Sequence, residues 1–334
     1  SLVGSEMCIR DRGDNMFDKL NNKLEKIPAG FINFLTIFSS AVTIITPLIG
    51  FFTIRKMNLE EKNLFIAIYI VTLIITGSML FNMYRYMIKY RKILVGVKFI
   101  ISEKFFYMNR QFRNSYFDII QTRKDGKLSV EYLTTKVEGV LKSSLDDICE
   151  IYRAFTGQKV SACVKYIDSV GSVKLSTATI RTFVRSTNTA IKRCEFDNNL
   201  TKPIYIKDNS DFYDILSPNS DRSYFYQQNL VEYAKECEKQ GSRYRNSTPD
   251  WYLYYQGTIV VPISIANKRL NRKKSCYDVL AFLCIDSMST EAFLKSEENY
   301  NINIARAVAA QMYIMLSQYR QYLKELTEVR KHYD

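Results

Sequence analysis

Two groups of side chains in the sequence have the chemistry to recognise a small molecule. Arg181 and Arg185 lie in an alternating segment, 175–186, which predicts a strand with both guanidinium groups on one face. Such a pair could hold a carboxylate or a phosphate through bidentate hydrogen bonds. The aromatic run from Trp251 to Tyr255 precedes another predicted strand and would supply the walls of a concave pocket.

Six residues are therefore candidates for ligand binding, the last of them on the strand that follows the aromatic run: Arg181, Arg185, Trp251, Tyr252, Tyr255 and Cys284. In the alternative interpretation, the aromatic side chains belong to the core, and the arginines are solvated or paired with nearby acids. Composition and spacing leave both interpretations open.

The sequence gives little support to an enzyme mechanism. The single histidine is His332, near the end of the chain, which argues against a histidine base or a histidine metal cluster. No phosphate-binding loop, dinucleotide fingerprint, zinc-protease motif or nucleophile elbow occurs. We therefore expect no enzymatic activity, no cofactor and no metal site.

Two long uncharged runs, 29–54 and 63–84, dominate the first part of the chain. A bilayer core of ~30 Å requires ~20 helical residues, and both runs reach that length. Strands rarely exceed ~10 residues, and neither run contains the turn signals that would divide it into strands. We predict a transmembrane hairpin over 29–84. The segment before it divides into 1–12, which resembles a translated sequencing-library adapter and is expected to be non-native, and a cytoplasmic stretch, 13–28.

Three basic residues of the stretch 13–28 precede the first predicted span, and three lie in the linker 55–62. Six more follow the second span within 20 residues: Arg85, Lys89, Arg91, Lys92, Lys98 and Lys104. An excess of basic residues marks the cytoplasmic side of a membrane. We expect both termini to be cytoplasmic, in the inner (cytoplasmic) membrane of a bacterium. The six cysteines beyond residue 12 show no CxxC spacing, and in a reducing compartment we expect them to be free thiols packed as small core residues.

The formal net charge of +13 is concentrated next to the predicted membrane. Residues 85–124 contain ten basic and two acidic side chains, whereas residues 125–334 contain 29 and 25. This distribution disfavours nucleic acid as a partner. We predict a basic connecting helix over 85–126. It is either a collar on anionic lipid or a parallel dimeric stalk, and the predicted lipid contacts are Arg85, Lys89, Arg91 and Lys92.

The remaining residues, 127–330, predict an α+β domain around an antiparallel sheet. Apolar spacing predicts a helix beginning near Val130, a short helix at 230–237 and a closing helix at 298–324. Alternation predicts four strands, and the stretch between the second and the third is expected to be irregular. The predicted strands are 159–167, 175–186, 258–266 and 277–287.

The strands Tyr255–Ile263 and Val279–Ser287, with Phe293 and a long helix after them, resemble the end of a GAF domain. The resemblance implies a GAF-like antiparallel sheet flanked by helices, with a small-molecule pocket between the sheet and its overlying loops. Ala281 replaces the glycine usual in the last strand, and residues 187–250 are longer than a compact member needs. No cyclic-nucleotide signature of the family occurs, so the ligand is unknown.

Together these patterns predict a membrane-anchored cytoplasmic sensory protein whose GAF-like domain binds a small molecule or a partner. We expect a homodimer formed through helices 85–124 and 298–330. The alternative is a ligand-gated effector whose hairpins cluster and permeabilise the membrane in a bacterial anti-phage system. A further alternative is that an output domain beyond the closing helix is missing from the sequence.

Overall fold

The computed structural model describes residues 59–168, 175–198, 203–217, 220–248, 250–265 and 279–331. The chain divides into two units, Ser1–Lys98 and Phe99–Asp334. The first predicted span, 29–54, and the segments 1–12 and 13–28 lie outside the described residues. The hairpin over 29–84 therefore stays a prediction.

Helix α1 runs unbroken from Leu59 to Lys124 and contains both the second predicted span and the predicted basic helix. No proline interrupts this stretch, so every residue can keep its helical hydrogen bond. The helix begins at Leu59, inside the linker 55–62 between the two predicted spans. Within the described part of the chain, α1 is the one helix long and apolar enough to cross a membrane.

The second unit is built on a six-stranded antiparallel sheet. Its strands are β1 Ser161–Ile167, β2 Thr179–Arg185, β3 Ile204–Tyr205, β4 Phe225–Gln227, β5 Gly257–Ser264 and β6 Val279–Ser287. The spatial order is β3-β2-β1-β6-β5-β4, with β1 and β6 at the centre. The four longer strands are those that alternation predicts. The short strands β3 and β4 lie in the stretch that the sequence left irregular.

The predicted helices of the second unit are present, and two more lie between the second and fourth strands. Ser129 caps the first helix after α1 by accepting a hydrogen bond from the Tyr132 N–H at 3.1 Å. Gly157 ends the same helix with a left-handed φ of 70°. The helices after α1 are α2 Val130–Thr156, α3 Ile191–Asn198, α4 Ser210–Leu216, α5 Leu230–Lys239 and α6 Glu298–Lys331.

Helices α2 and α6 cover one face of the sheet. Ala162, Val164 and Tyr166 of β1 point into the core that these helices form, as alternation predicts. Met108 and Ile119 of α1 are buried in the same core. The core of the unit therefore begins within α1, on the N-terminal side of the boundary that the sequence placed at residue 126.

The opposite face of the sheet is covered by α4, α5 and the segments around them. Val260 and Phe282 of the sheet pack there against Phe212, Leu230 and Tyr244. All nine residues of β6 are buried as a result. The sheet is thus the middle of three layers, which explains why both faces of its central strands are buried.

The surroundings of Gly257 leave little space for a side chain between the layers. A Cβ at this position would lie 3.0 Å from Cδ2 of Phe293, which is fully buried, and 3.2 Å from the carbonyl oxygen of Gln228. We expect Gly257→Ala to lower the free energy of unfolding by ~1–3 kcal/mol, because a close-packed core resists an added methyl group. Urea denaturation of the full chain in detergent, followed by the fluorescence of Trp251, measures this change.

Gly139→Ala is the matched control. Gly139 lies within α2, and a Cβ there would meet nothing within 4 Å. The substitution should raise the free energy of unfolding by ~0.5–1 kcal/mol, because alanine loses less backbone entropy in a helix. Equal effects of the two substitutions would contradict the packing described for Gly257.

Candidate functional site

A polar cavity of about 30 Å³ lies between the sheet and the layer that contains α4. A water molecule needs ~10–15 Å³ measured in this way, so the cavity has room for roughly two. Its walls carry four charged side chains, two amides and two thiols, in addition to apolar groups. These polar residues are Lys165, Arg193, Asp211, Asp286, Asn209, Asn246, Cys163 and Cys284.

Arg193 and Asp286 form a buried ion pair at one wall of the cavity. The guanidinium donates from Nη2 to Oδ2 of Asp286 at 3.0 Å, and both side chains are almost fully buried. Thr258 donates to the other carboxylate oxygen at 2.7 Å, and the guanidinium carbon of Arg193 lies 4.8 Å from the centre of the Tyr255 ring. The Nε of Arg193 is buried without a hydrogen-bond partner. The pair therefore leaves one buried donor unsatisfied.

Asp211 is a buried acid that forms no ion pair within the described part of the chain. It is 7% exposed, lies near the start of α4 and accepts one hydrogen bond, from the Phe212 N–H at 3.0 Å. Burial raises the pKa of Asp211 to about 7. The hydrogen bond from the Phe212 N–H lowers this pKa, and the charge of Asp286 raises it further. The cavity therefore holds a carboxyl group that exchanges its proton near neutral pH.

Cys163 and Cys284 lie directly opposite each other on the central strands β1 and β6. Both thiols are buried and in hydrogen-bonding contact. The hydrogen bond from Cys284 lowers the pKa of Cys163, and burial raises it. The charges of Arg185 and Lys165 lower this pKa further. Burial raises the pKa of Cys284. Of the two thiols, Cys163 thus has the lower pKa.

Two cations stand beside the Cys163 thiol. Lys165, two residues along β1, donates to the hydroxyl of Thr182 at 2.7 Å and lies 3.9 Å from a carboxylate oxygen of Asp197. Arg185 pairs with the same carboxylate through its Nε. One acid is thus shared between two cations, which leaves net positive charge close to Cys163.

The predicted pair Arg181 and Arg185 does not share a face, so this part of the sequence interpretation is wrong. Val164 pairs with Val184 but Lys165 pairs with Thr182, which makes Phe183 an additional residue in β2. Beyond such a bulge, each side chain lies on the face opposite to the one that strict alternation predicts.

As a result, the two arginines lie on opposite faces of the sheet. Arg181 lies over the rings of Tyr166 and Phe183 on the face that the long helices cover, and it pairs with Asp168 at 2.6 Å. Arg185 lies on the cavity side of the sheet, behind the wall, where it pairs with Asp197 of α3.

Of the predicted aromatic residues, Tyr255 lines the cavity, as Cys284 does. The hydroxyl of Tyr255 accepts a hydrogen bond from the amide of Asn246 at 2.6 Å. Trp251 packs behind this wall, with its ring 6.0 Å from that of Tyr255. Tyr252 is 48% exposed and does not line the cavity.

Most of the polar wall was missed by sequence reasoning. Arg193, Asn209 and Asp211 lie between β2 and β4, where no periodicity separates a site residue from a solvated one. Lys165 did carry a signal, because it is a lone charge at an inward position of an apolar strand. Cys163 was interpreted as a core residue, and only the strand pairing brings it to Cys284.

Asp211 gives a pH test of the site. The folded state keeps a proton on Asp211 up to about pH 7, whereas the unfolded chain releases it near the ordinary value of 3.8. Stability from this group is therefore fully present below the lower value and declines as the pH rises toward the higher one. We expect Asp211→Asn to weaken this decline between pH 5 and pH 8, measured by urea denaturation of the full chain at both values.

Asp214→Asn is the control for this measurement. Asp214 lies on the same helix but pairs with Arg222 at the surface at 3.0 Å. Its substitution should leave the pH dependence as it is in the parent chain. A parent and an Asp211→Asn variant with the same dependence on pH would contradict the protonation described for Asp211.

Comparison with known proteins finds no matching family model and no matching curated relative. Among solved structures, the chain is similar to a type II free methionine-R-sulfoxide reductase from Thermoplasma acidophilum, with 12% identity, a TM-score of 0.34, and 56% of this chain and 96% of that one covered. It is similar to GAF domains of phosphoenolpyruvate-protein phosphotransferases from Acinetobacter, with 10% identity, a TM-score of 0.34 and coverages of 57% and 92%. The corresponding domain from Coxiella burnetii has 11% identity, a TM-score of 0.35 and coverages of 57% and 93%. These are likenesses in the arrangement of strands and helices, and they transfer no ligand or activity to this chain.

Proposed function

We propose that this protein is a membrane-anchored sensor whose second unit binds a small molecule in the polar cavity beside Asp211. The observation that carries the proposal is the burial of Asp211 at the cavity wall without an ion-pair partner among the described residues. Burial of an unpaired acid costs free energy that a purely structural core avoids. Perturbed acids in clefts are typical of functional sites.

The charge pattern around the cavity supports a polar ligand. Lys165 and Arg193 supply donors, while Asp211 supplies an acid that is not committed to an ion pair within the described residues. Asn209 and Asn246 face the same space, and their amides already hold the surrounding loops through hydrogen bonds to Ser247 and Tyr255. A ligand that displaces the cavity water would therefore meet a wall whose groups are held in place.

A signal could leave the cavity through the sheet. Residues of β1 alternate between the two faces, so Cys163 and Lys165 face the cavity while Val164 and Tyr166 face the long helices. Met108 and Ile119 place α1 in that same helical core. In this proposal a change at the cavity alters the packing of α1, α2 and α6.

Membrane anchoring is supported by α1. Its most apolar 18-residue window has a mean hydropathy of 2.0, and none of that window is buried. A core helix of a soluble protein can be as long and as apolar as this segment, but it is mostly buried. The residues Arg85, Lys89, Arg91 and Lys92 follow this segment and are exposed on α1, as lipid contact requires.

The orientation and the assembly remain parts of the proposal. Both termini lie in the cytoplasm of a bacterium, and copies associate through 85–124 and 298–330. We propose the sensor and not the clustering anti-phage effector, because the cavity and its buried acid bear on ligand recognition and not on permeabilisation.

Ligand binding is tested by thermal shift of the full chain in detergent. The panel contains the smallest polar metabolites, such as formate, acetate, glycine, urea and ammonium, because a cavity that holds roughly two water molecules excludes larger ones. At ~100 times its dissociation constant, a ligand should add ~2.7 kcal/mol to stability. Asp211→Asn should reduce that shift, and Asp214→Asn, on the same helix but outside the cavity, should not. A panel in which no compound shifts the transition would contradict the proposal.

Membrane anchoring is tested by fractionation after expression. The chain should sediment with membranes and stay there in alkaline carbonate. Replacing Val42 and Ile45 of the first predicted span and Leu73 and Ile74 of the second with Arg should release it, because each arginine at the centre of a span costs ~2.5–3.5 kcal/mol. Ile314→Arg is the control, since Ile314 is an exposed apolar residue of α6 outside the span. Recovery of the parent chain in the soluble fraction would contradict anchoring.

A further inference from the structure

We propose that Cys163 and Cys284 are a redox pair that reacts with hydrogen peroxide inside the cavity and closes a disulfide between β1 and β6. The inference rests on the proposed function, because it assigns a chemistry to the cavity that the sensor uses. No other part of the described chain combines two facing thiols, a void and charged groups.

The positions of the two cysteines fit a disulfide. They are direct partners in the antiparallel pairing of β1 and β6, and both side chains are buried. Directly opposed residues in antiparallel strands have Cα atoms ~4.5–5.5 Å apart. Disulfides span Cα separations of ~4.4–6.8 Å, so the bond can form without moving the strands apart.

The size of the cavity selects the oxidant. Both cysteines line a cavity of about 30 Å³, which holds roughly two water molecules. Hydrogen peroxide contains two oxygen atoms and is about that size. It is also uncharged and forms hydrogen bonds as donor and acceptor, which suits a polar wall. A disulfide such as oxidised glutathione is far too large to reach these buried sulfur atoms.

The surrounding charges prepare Cys163 as the nucleophile. Arg185 and Lys165 both stand close enough to lower the pKa of its thiol, next to the hydrogen bond from Cys284. Thiolates, and not thiols, attack peroxides, and cysteines near lysine or arginine are the reactive ones. Cys149 differs: it is buried in α2, does not line the cavity, and burial raises its pKa to about 12.

Asp211 supplies the proton that the reaction needs. The Cys163 thiolate attacks one peroxide oxygen, the O–O bond breaks, and the departing hydroxide takes the proton of Asp211 and leaves as water. Cys163 is then a sulfenic acid. The sulfur of Cys284 attacks the sulfur of Cys163, the S–O bond breaks, and the proton of Cys284 leaves with the hydroxide as a second water.

The balance closes with no further reactant. The proton that Cys163 gave up on ionising restores Asp211, so two thiols and one peroxide give one disulfide and two waters. The two sulfur atoms are oxidised and the two peroxide oxygens are reduced. Asp211 lines the same cavity as both cysteines and is close enough to Cys284 to raise the pKa of its thiol.

The test uses the reduced full chain in detergent, treated with hydrogen peroxide and digested without reduction. Mass spectrometry should find the peptides of Cys163 and Cys284 joined, and Cys149 still reduced. In Cys284→Ser the reaction should stop at a sulfenic acid on Cys163, which dimedone traps. Cys163→Ser should form neither product, and Asp211→Asn should slow the linkage ~100-fold or more, since general acids contribute that much.

The outcomes separate this inference from the proposed function. Failure of the parent chain to link these two cysteines, or faster linkage of any other pair, would overturn the redox pair without reference to how the variants fold. If a compound of the thermal-shift panel still stabilises the chain, the sensor proposal stands alone. If neither linkage nor a shift is seen, both proposals are wrong.

Discussion

The antiparallel pairing of β1 with β6 is the interaction on which the rest of the second unit depends. These strands form the centre of the sheet, and helices or loops cover both of their faces. Pairing sets which residues face each layer, because side chains alternate along a strand. It therefore places Val164 and Ile285 in the helical core and brings Cys163 and Cys284 together on the other side. A shift of one residue in this register would exchange the two faces.

The ion pairs around the cavity distinguish charged groups that are paired with each other from the acid and the thiol that have no such partner among the described residues. Arg193 and Asp286 satisfy each other, and Arg185 and Lys165 share Asp197. Buried ion pairs contribute little net stability, so these pairs matter more for the charge that they place around the cavity. At the cavity, burial raises the pKa of Asp211, whereas Cys284 and the nearby cations lower the pKa of Cys163.

The sequence predicted the parts of the fold that have a period. Alternation located β1, β2, β5 and β6, and apolar spacing located α2 and α6, because those elements bury one continuous face. The short strands and the helices α3 and α4 have too few residues for a period to emerge. Tyr255 and Cys284 were found at the cavity because they lie on or beside regular strands. Asp211 and Arg193 were not found, since their role depends on folded proximity and on burial that a local pattern does not encode.

The bulge in β2 has a consequence for the chemistry of the site. If Phe183 were retained and paired regularly after Thr182, Val184 would lie opposite Cys163 and Arg185 opposite Ala162, on the helical face. Cys163 would then lose one of its two neighbouring cations and come to resemble Cys284, its partner in an almost symmetrical setting. The distinction between an attacking sulfur and a resolving sulfur thus depends in part on how β2 accommodates one additional residue, which lets Thr182 and Arg185 lie on the same side of the sheet.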